Sequence, residues 1–465
     1  MSVLIKNIKQ ALVFTNNQNK VLENIDIYIE NNRITDVGAN LNYKAEHTIN
    51  ASNMTAIPGM VNTHHHLYQT LFRNVPKVQD AKLFDWLINL YQGWRHITPE
   101  DVHTAALTGL GELLLTGCTL SSDHHYLFPS KWGDELIHAE VEAAKELGIR
   151  FYPTRGSMSR GVSNGGLPPD DVVQTEDVIM KASEELIKTV HDPSPGSMTR
   201  LALAPCSPFS VTPELLKETA KLARKHNVLL HTHLAETEDE TEYCIKTLGQ
   251  RPLEFMESVD WLGKDVWFAH GIWFNEKEIE LLGKTNTGIA HCPTSNLRLG
   301  SGIAPIVDLK KAGAKIGLGV DGSASNDASD MLSEARLALL IHRIGPHGVS
   351  ATNALDTLEL ATHGGASVLN WDDELGRIAE NYLADIALFD MNDIAYAGGM
   401  HDPMAALLFA NSRKRAAYVI VNGKIVVKEG RLANVNEEEL IEKQNNAAKQ
   451  IINRASSDIN LLKKD

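Results

Sequence analysis

The stretch PGMVNTHHH, residues 58–66, decides how the whole chain is interpreted, because a short apolar run ends there in three histidines. In an extended segment the side chains alternate, so His64 and His66 point to one side and His65 points to the other. Two imidazoles that leave a strand end in the same direction form half of a metal site. The alternative is a solvated polar turn, since a histidine-rich tract binds metal only when further ligands converge on it.

Length and composition indicate a globular protein with one large domain and one small domain. The chain has 465 residues, of which 43% are hydrophobic and 22% are charged, and an α/β barrel alone takes about 250 residues. No stretch approaches the ~18 consecutive apolar residues of a transmembrane helix. The N-terminal sequence MSVLIKNIKQ lacks the apolar core and the cleavage site of a signal peptide. We therefore expect a soluble, cytoplasmic protein.

The charge balance indicates the class of ligand. A net charge of −15 at pH 7 repels polyanions, which argues against binding to nucleic acids or to anionic membranes. The expected ligand is a small molecule that is neutral or weakly charged. The cysteines form no CxxC pair, as is typical of free thiols in a reducing compartment. They are Cys118, Cys206, Cys244 and Cys292.

The pattern of apolar residues divides the chain into segments. In residues 1–57, short segments of period two are separated by asparagine-rich turns, which is typical of antiparallel β-structure. In residues 58–370, eight short apolar segments alternate with amphipathic helices. Eight such units predict a closed (β/α)8 TIM barrel with its active site at the C-terminal ends of the strands.

The two ends of the chain are predicted to form a second, smaller domain. In residues 371–435, apolar runs flank the pair Asn422-Gly423, which is the strongest short hairpin signal. Neither this segment nor residues 1–57 has enough strands to be stable alone, so we expect them to combine into a small β-sandwich. Residues 436–465 form the last segment, a helical tail with a surface helix over 436–456.

Side chains that bind metals or carry protons follow four of the predicted barrel strands. They are His64 and His66 after the first strand, His233 and Glu236 after the fifth, His270 after the sixth and Asp321 after the eighth. A single histidine at a strand end is more often structural, but the C-terminal ends of barrel strands meet at one rim. Neutral imidazoles with a carboxylate suit a divalent metal such as zinc, which lowers the pKa of bound water toward ~7.

Three motifs are specific in combination. They are Pro-Gly-x-x-Asn-x-His-x-His at 58–66, His-x-His-Leu-Ala-Glu at 231–236 and Gly-Val-Asp-Gly-Ser-Ala-Ser-Asn-Asp at 319–327. In these motifs the chain resembles the amidohydrolase superfamily, in its deaminase and chlorohydrolase branch, over essentially its whole length. The resemblance implies a metal shell of His64, His66, His233 and Asp321. It also implies that Glu236, His270 and Asp321 are catalytic.

The same resemblance implies the number of metal ions and the reaction. Binuclear relatives bridge two metals with a carboxylated lysine at the end of the fourth strand, whereas residues 200–208 here read RLALAPCSP without lysine. We expect one divalent ion per chain, Zn²⁺ with Fe²⁺ as the alternative. In the implied mechanism Asp321 accepts a proton from the attacking water, His270 orients that water and Glu236 protonates a ring nitrogen, after which ammonia leaves.

Several stretches are similar to those of enzymes in this branch that deaminate 8-oxoguanine, notably residues 62–69, 155–159 and 204–210. Gln69 matches a glutamine with which guanine deaminases bind the purine edge, or else it is an ordinary surface amide. Cys206 stands where guanine deaminases carry an arginine, which argues against guanine as the substrate, or else it only packs in the core. Trp86 either closes over a flat ring or belongs to the core.

Other interpretations stay open at this level. The same motifs suit deaminases of isoxanthopterin, isocytosine or guanine and hydrolases that remove chloride or an amine from a triazine. A scaffold relative without catalysis is a further alternative, although such proteins usually lose metal ligands. His124, His125 and His291 also lie at predicted strand ends, as structural residues or as neighbours of the metal shell. We also expect the chain to form a homo-oligomer.

Overall fold

The computed structural model describes residues 1–410 and 415–464. Its β-strands are β1 (Ser2–Thr15), β2 (Gln18–Glu30), β3 (Arg33–Gly38), β4 (His47–Asn50), β5 (Met54–Pro58), β6 (Met60–Asn62), β7 (Cys118–His125), β8 (Arg150–Ser157), β9 (Ala202–Pro205), β10 (Leu229–Leu234), β11 (Val266–His270), β12 (Gly288–His291), β13 (Lys315–Leu318), β14 (Ile386–Asp390), β15 (Tyr418–Val421), β16 (Lys424–Lys428) and β17 (Arg431–Leu432). Strands β6 to β13 close into a barrel of parallel strands in chain order. The predicted (β/α)8 barrel is confirmed.

Helices surround the barrel and connect its strands. They are α1 (Leu83–Trp94), α2 (Pro99–Leu115), α3 (Glu135–Leu147), α4 (Glu176–Val190), α5 (Pro213–His226), α6 (Glu238–Leu248), α7 (Pro252–Ser258), α8 (Glu276–Thr285), α9 (Pro293–Arg298), α10 (Ile306–Ala312), α11 (Met331–Ile341), α12 (Ala354–Glu359), α13 (Gly365–Val368), α14 (Pro403–Phe409) and α15 (Glu437–Ala455). Thr98 caps α2 by accepting the N–H of Asp101 at 3.2 Å, and Pro99 takes the first helical position. The described part of the chain contains no helix long and apolar enough to cross a membrane.

Strands from both ends of the chain form the second domain. A nine-stranded sheet joins β1 to β5 with β14 to β17 through the antiparallel pair β5 and β14. Asn16 and Asn17 adopt left-handed conformations between β1 and β2, and Asn422 and Gly423 do so between β15 and β16. Left-handed central residues match the twist of two-residue hairpins, which is why asparagine and glycine stand there. The predicted small β-domain built from both termini is confirmed. We propose domain limits near residues 57, 370 and 435.

The C-terminal helix α15 packs one face against α2 instead of lying freely on the surface. Leu440 and Ile451 are buried in this contact. Gln444 donates to the hydroxyl of Thr70 at 3.1 Å and accepts from the hydroxyl of Thr108 at 3.1 Å. The helix therefore braces the segment that directly follows the histidine triplet.

The inside of the barrel is closed at its N-terminal end. Buried side chains from successive strands meet there, and they are Val61, Leu120, Tyr152, Ala202, Leu229, Trp267 and Ala290. Trp371, which follows α13, belongs to the same cluster. Because side chains alternate along a strand, the residues two and four positions after Leu229 also face inward, but nearer the C-terminal rim. Access to the interior is thereby confined to that rim.

Candidate active site

Four side chains meet at the C-terminal rim, where the resemblance implies a metal shell. Nε2 of His66 lies 3.1 Å from Nε2 of His233. Oδ1 of Asp321 lies 3.3 Å from Nε2 of His64 and 3.3 Å from Nε2 of His66. Strand β6 ends at Asn62, so His64 and His66 lie in the extended segment just beyond it. The side chains come from three separate strand ends, and their ligand atoms converge on one point.

Each of the three histidines is oriented by a hydrogen bond at Nδ1. His66 donates to the carbonyl oxygen of His124 at 2.7 Å, His233 to that of Cys206 at 2.6 Å, and His64 to Nε2 of His231 at 2.8 Å. A hydrogen on Nδ1 leaves the lone pair of a neutral imidazole on Nε2. All three Nε2 lone pairs are therefore directed at the rim cluster.

This donor set fits a divalent cation. Two lone pairs 3.1 Å apart, on His66 and His233, repel each other unless a cation lies between them. Nε2 of His64 is buried, and within the described part of the chain it has no hydrogen-bond partner. Burial lowers the pKa of His64 and His233 well below the usual value, so these imidazoles are neutral and available as ligands. Neutral imidazoles with one carboxylate are ligands that zinc and other first-row metals prefer.

The residues predicted to carry protons stand beside this cluster. Nε2 of His270 lies 3.5 Å from Oε2 of Glu236 and 4.0 Å from Oδ2 of Asp321. Nδ1 of His270 donates to Oδ1 of Asn296 at 2.9 Å, which leaves its Nε2 as an acceptor facing the site. Burial, reinforced by the nearby Asp321 carboxylate, raises the pKa of Glu236 well above its usual value. This shift favours the protonated form of Glu236 and suits the residue to act as an acid.

The backbone that carries Glu236 is held by a second buried carboxylate. Glu240, in α6, accepts the N–H of Ala235 at 3.1 Å and the N–H of Glu236 at 2.8 Å. Ala235 has a φ of 53°, and His270 and Asp321 have φ values of 71° and 61°. Such left-handed conformations are costly for residues with a Cβ and persist where surrounding contacts hold them. Glu240 supplies such contacts for Ala235 and thereby positions Glu236.

A cavity opens at the cluster. Its walls away from the cluster are mostly aromatic and aliphatic, and include Leu83, Trp86, Tyr91, Tyr126, Phe209 and Leu299. Among the described residues that line it, Glu236 and Asp321 are the only carboxylates, and none is lysine or arginine. The cavity therefore suits a ligand that is flat, largely apolar and uncharged.

The three residues predicted to bind substrate all line this cavity. Both amide atoms of Gln69 are buried, and neither has a hydrogen-bond partner among the described residues. Gly322 makes room for this amide, since a Cβ there would meet Oε1 at 1.9 Å. Nε1 of Trp86 donates to the carbonyl oxygen of Ala324 at 3.2 Å, so the ring forms a fixed wall. Burial raises the pKa of the Cys206 thiol to about 12, which keeps it uncharged.

The three further histidines at predicted strand ends, whose role the sequence leaves open, are not among the described residues that line the cavity. Their contacts are as follows: Nε2 of His124 donates to the carbonyl oxygen of Ala204 at 2.9 Å, Nδ1 of His125 lies 2.7 Å from Oε1 of Glu140, and Nε2 of His291 lies 3.0 Å from Nε2 of His342. Of these three, only His124 touches the rim cluster: its carbonyl oxygen accepts from Nδ1 of His66, and its imidazole stacks on that of His233 with ring centroids 4.7 Å apart.

Sequence reasoning missed the residues that orient the site, namely His231, Asn296 and Glu240. A signal existed for His231 alone, because it precedes His233 by two positions and so faces the same side of β10. Asn296 lies on α9, whereas its partner His270 ends β11, and no local pattern marks that contact. Glu240 lies close in sequence to its partners Ala235 and Glu236, at the start of the helix that follows β10.

Comparison with known sequences assigns the chain to a family. The sequence model of the amidohydrolase family matches residues 55–426. The chain belongs to the amidohydrolase family. The prediction of a hydrolase acting on C–N bonds is thereby confirmed, as relatives that are deaminases also indicate.

Individual relatives of this amidohydrolase include deaminases and a triazine hydrolase. It is 47% identical to the 8-oxoguanine deaminase of Pseudomonas aeruginosa over 86% of this chain and 88% of that protein. It is 35% identical to an isoxanthopterin deaminase of an unknown prokaryotic organism over 89% of each chain. Among solved structures, atrazine chlorohydrolase from Arthrobacter aurescens TC1 complexed with zinc superposes with a TM-score of 0.91 at 34% identity, covering 96% of this chain and 100% of that one.

Proposed function

We propose that this amidohydrolase deaminates 8-oxoguanine hydrolytically to urate and ammonia. The observation that carries the proposal is the cavity itself, which has ligands for a metal at one end and an uncharged wall at the other. Gln69 belongs to that wall, and its buried amide, which has no partner among the described residues, supplies one hydrogen-bond donor and one acceptor for the edge of the substrate ring. Identity of 47% to an 8-oxoguanine deaminase supports this base over other heterocycles.

We assign the metal site to His64, His66, His233 and Asp321. The fit rests on three directed Nε2 lone pairs and one carboxylate oxygen. A divalent cation held there would supply water activated for attack near neutral pH. We propose one ion per chain and zinc as that ion, with Fe²⁺ as the alternative; the zinc complex of the atrazine chlorohydrolase supports zinc.

The protein's own residues then move protons and hold the ring. Asp321 accepts a proton from the attacking water, while Nε2 of His270, 4.0 Å from Oδ2 of Asp321, accepts a hydrogen bond that orients this water. Glu236 donates its proton to the ring nitrogen beside the amine-bearing carbon as the carbon–oxygen bond forms. The intermediate collapses when the carbon–nitrogen bond breaks: the proton held by Asp321 passes to the amine, which leaves as ammonia, and the hydroxyl proton on the carbon returns to Glu236 as the carbonyl forms.

The decisive experiment compares 8-oxoguanine with guanine. An 8-oxo group makes N7 a hydrogen-bond donor, whereas N7 of guanine is an acceptor, so a wall matched to one base leaves an unpaired polar group against the other. Such a mismatch costs up to ~10⁴-fold in kcat/KM. The described residues that line the cavity include no arginine to satisfy guanine's acceptors, so we expect 8-oxoguanine to be preferred by at least about a hundredfold.

The measurement is kcat/KM from ammonia release for both purines, with isoxanthopterin, isocytosine and an aminotriazine alongside. Similar values for the two purines would contradict the assignment of the base. A clear preference for the pterin or the triazine would replace it. Neither result would alter the assignment of the chain to the amidohydrolases.

A further inference from the structure

A closed ring of hydrogen bonds inside the barrel ends on one of the assigned metal ligands. His231, on β10, is fully buried and is not among the described residues that line the cavity. Its Nε2 lies 2.8 Å from Nδ1 of His64, and its Nδ1 lies 2.9 Å from the carbonyl oxygen of Trp267. A carbonyl oxygen only accepts, so Nδ1 of His231 carries the hydrogen and its Nε2 accepts from His64.

Trp267 completes the ring from the neighbouring strand β11. Its indole Nε1 donates to the carbonyl oxygen of Thr63 at 3.1 Å, and Thr63 directly precedes His64. The indole also stacks on the imidazole of His231, with ring centroids 4.3 Å apart and an interplanar angle of 15°. The backbone of Thr63 and the side chain of His64 are thus both hydrogen-bonded to the stacked rings of Trp267 and His231.

We propose that His231, supported by Trp267, is a positioning residue that holds His64 as a metal ligand through Nε2. The inference rests on the proposed metal site and adds a residue that neither the motif assignments nor the mechanism uses. By accepting from Nδ1, His231 fixes both the tautomer and the ring orientation of His64. His66 and His233 are held by backbone carbonyl oxygens instead, so His64 is the one assigned histidine ligand whose orientation depends on a replaceable side chain.

The size of the effect follows from the loss of that orientation. Without an acceptor at Nδ1, the ring of His64 is free to carry its hydrogen on Nε2 or to rotate, and either change removes a ligand atom from the cluster. Loss of a hydrogen-bond partner behind a ligand typically weakens metal binding 10- to 100-fold. We expect the dissociation constant of zinc to rise by a factor in this range.

Two amide substitutions at His231 distinguish the loss of its hydrogen bond to His64 from a general effect on packing. In His231→Gln the amide reaches the position of Nε2 and still accepts from His64. In His231→Asn the amide reaches only the position of Nδ1, so it keeps the link to Trp267 but loses the link to His64. We expect zinc binding within about threefold of the parent for the glutamine variant and 10- to 100-fold weaker binding for the asparagine variant.

The assay titrates full-length apoprotein with Zn²⁺ in competition with a chromophoric chelator, without any turnover measurement. Leu230→Ala is the matched control, because Leu230 is buried on the same strand but packs in the hydrophobic core on the opposite side of the strand from His231. This variant should lower thermal stability and leave zinc affinity unchanged. The proposal fails if the asparagine variant binds zinc as tightly as the parent, or if the two amides weaken binding equally. A parent protein that binds no zinc would instead refute the proposed metal site.

Discussion

Replacing Glu236 by glutamine tests the proposed acid with the smallest possible change. The side chain keeps its size, and the amide still fills the space next to Nε2 of His270, which lies 3.5 Å from Oε2. The backbone bond from Glu236 to Glu240 is unaffected because it uses the N–H. What is lost is the acidic proton, whose retention on the carboxyl group is favoured because burial raises the pKa of Glu236.

The Glu236→Gln substitution is expected to slow only the chemical step. Loss of a general acid costs ~10² to 10⁴ in rate, equivalent to about 2.7 to 5.4 kcal/mol in activation free energy. Glu236 is not among the assigned metal ligands, so the zinc content and the KM for 8-oxoguanine should stay within about threefold of the parent values, because a change made only in the transition state lowers kcat alone.

The assay measures ammonia release under saturating substrate and metal content by elemental analysis of the same samples. Glu238→Gln is the matched control, since Glu238 undergoes the same chemical change on the exposed surface of α6 and should keep parental kcat. A Glu236→Gln enzyme with more than a tenth of the parental kcat would show that another group supplies the proton. Loss of metal in this variant would show that Glu236 is a ligand.

Three further predictions concern the rest of the site. Elemental analysis of metal-replete protein should give one divalent ion per chain, because the end of β9 offers the carbonyl oxygen of Cys206 and no lysine; two ions per chain would contradict this. Gln69→Leu should lower kcat/KM for 8-oxoguanine about 10- to 100-fold, since a buried polar group of the substrate is left unpaired; steady-state kinetics with unchanged values would remove Gln69 from the substrate site. Glu240→Gln places an amide N–H₂ group against one of two backbone N–H groups, so we expect kcat to fall about tenfold with zinc content unchanged; parental kcat would show that the turn at Ala235 holds without this carboxylate.

Local sequence patterns were sufficient for the architecture. Period-two apolarity placed the strands, and asparagine and glycine marked hairpins at Asn16 and Gly423 because these residues tolerate the left-handed backbone of such turns. Thr98 and Pro99 marked the start of α2 for an equally local reason. The rule that barrel strands present their C-terminal ends at one rim then brought His66, His233 and Asp321 together before any distance was known.

The C-terminal helix α15 shows that local sequence patterns predict a helix but not the surface against which it packs. The sequence predicted a surface helix over residues 436–456 but not the partner of that helix. In the fold, Gln444 is buried between Thr70 and Thr108. Whether a polar side chain is solvated or paired depends on which surface covers it, and that surface lies more than three hundred residues away in the chain.

The sequence by itself determined the fold class and the types of side chain at the rim, because both depend on periodicities of two and 3.6 residues and on the handed geometry of a parallel barrel. Only the tertiary structure decided how these side chains are oriented. The hydrogen bond from His64 to His231 leaves the lone pair of His64 on Nε2, and the bond to Asn296 does the same for His270. Such bonds depend on differences of a few tenths of an ångström between strands and helices far apart in sequence, and therefore arise only when the core is packed.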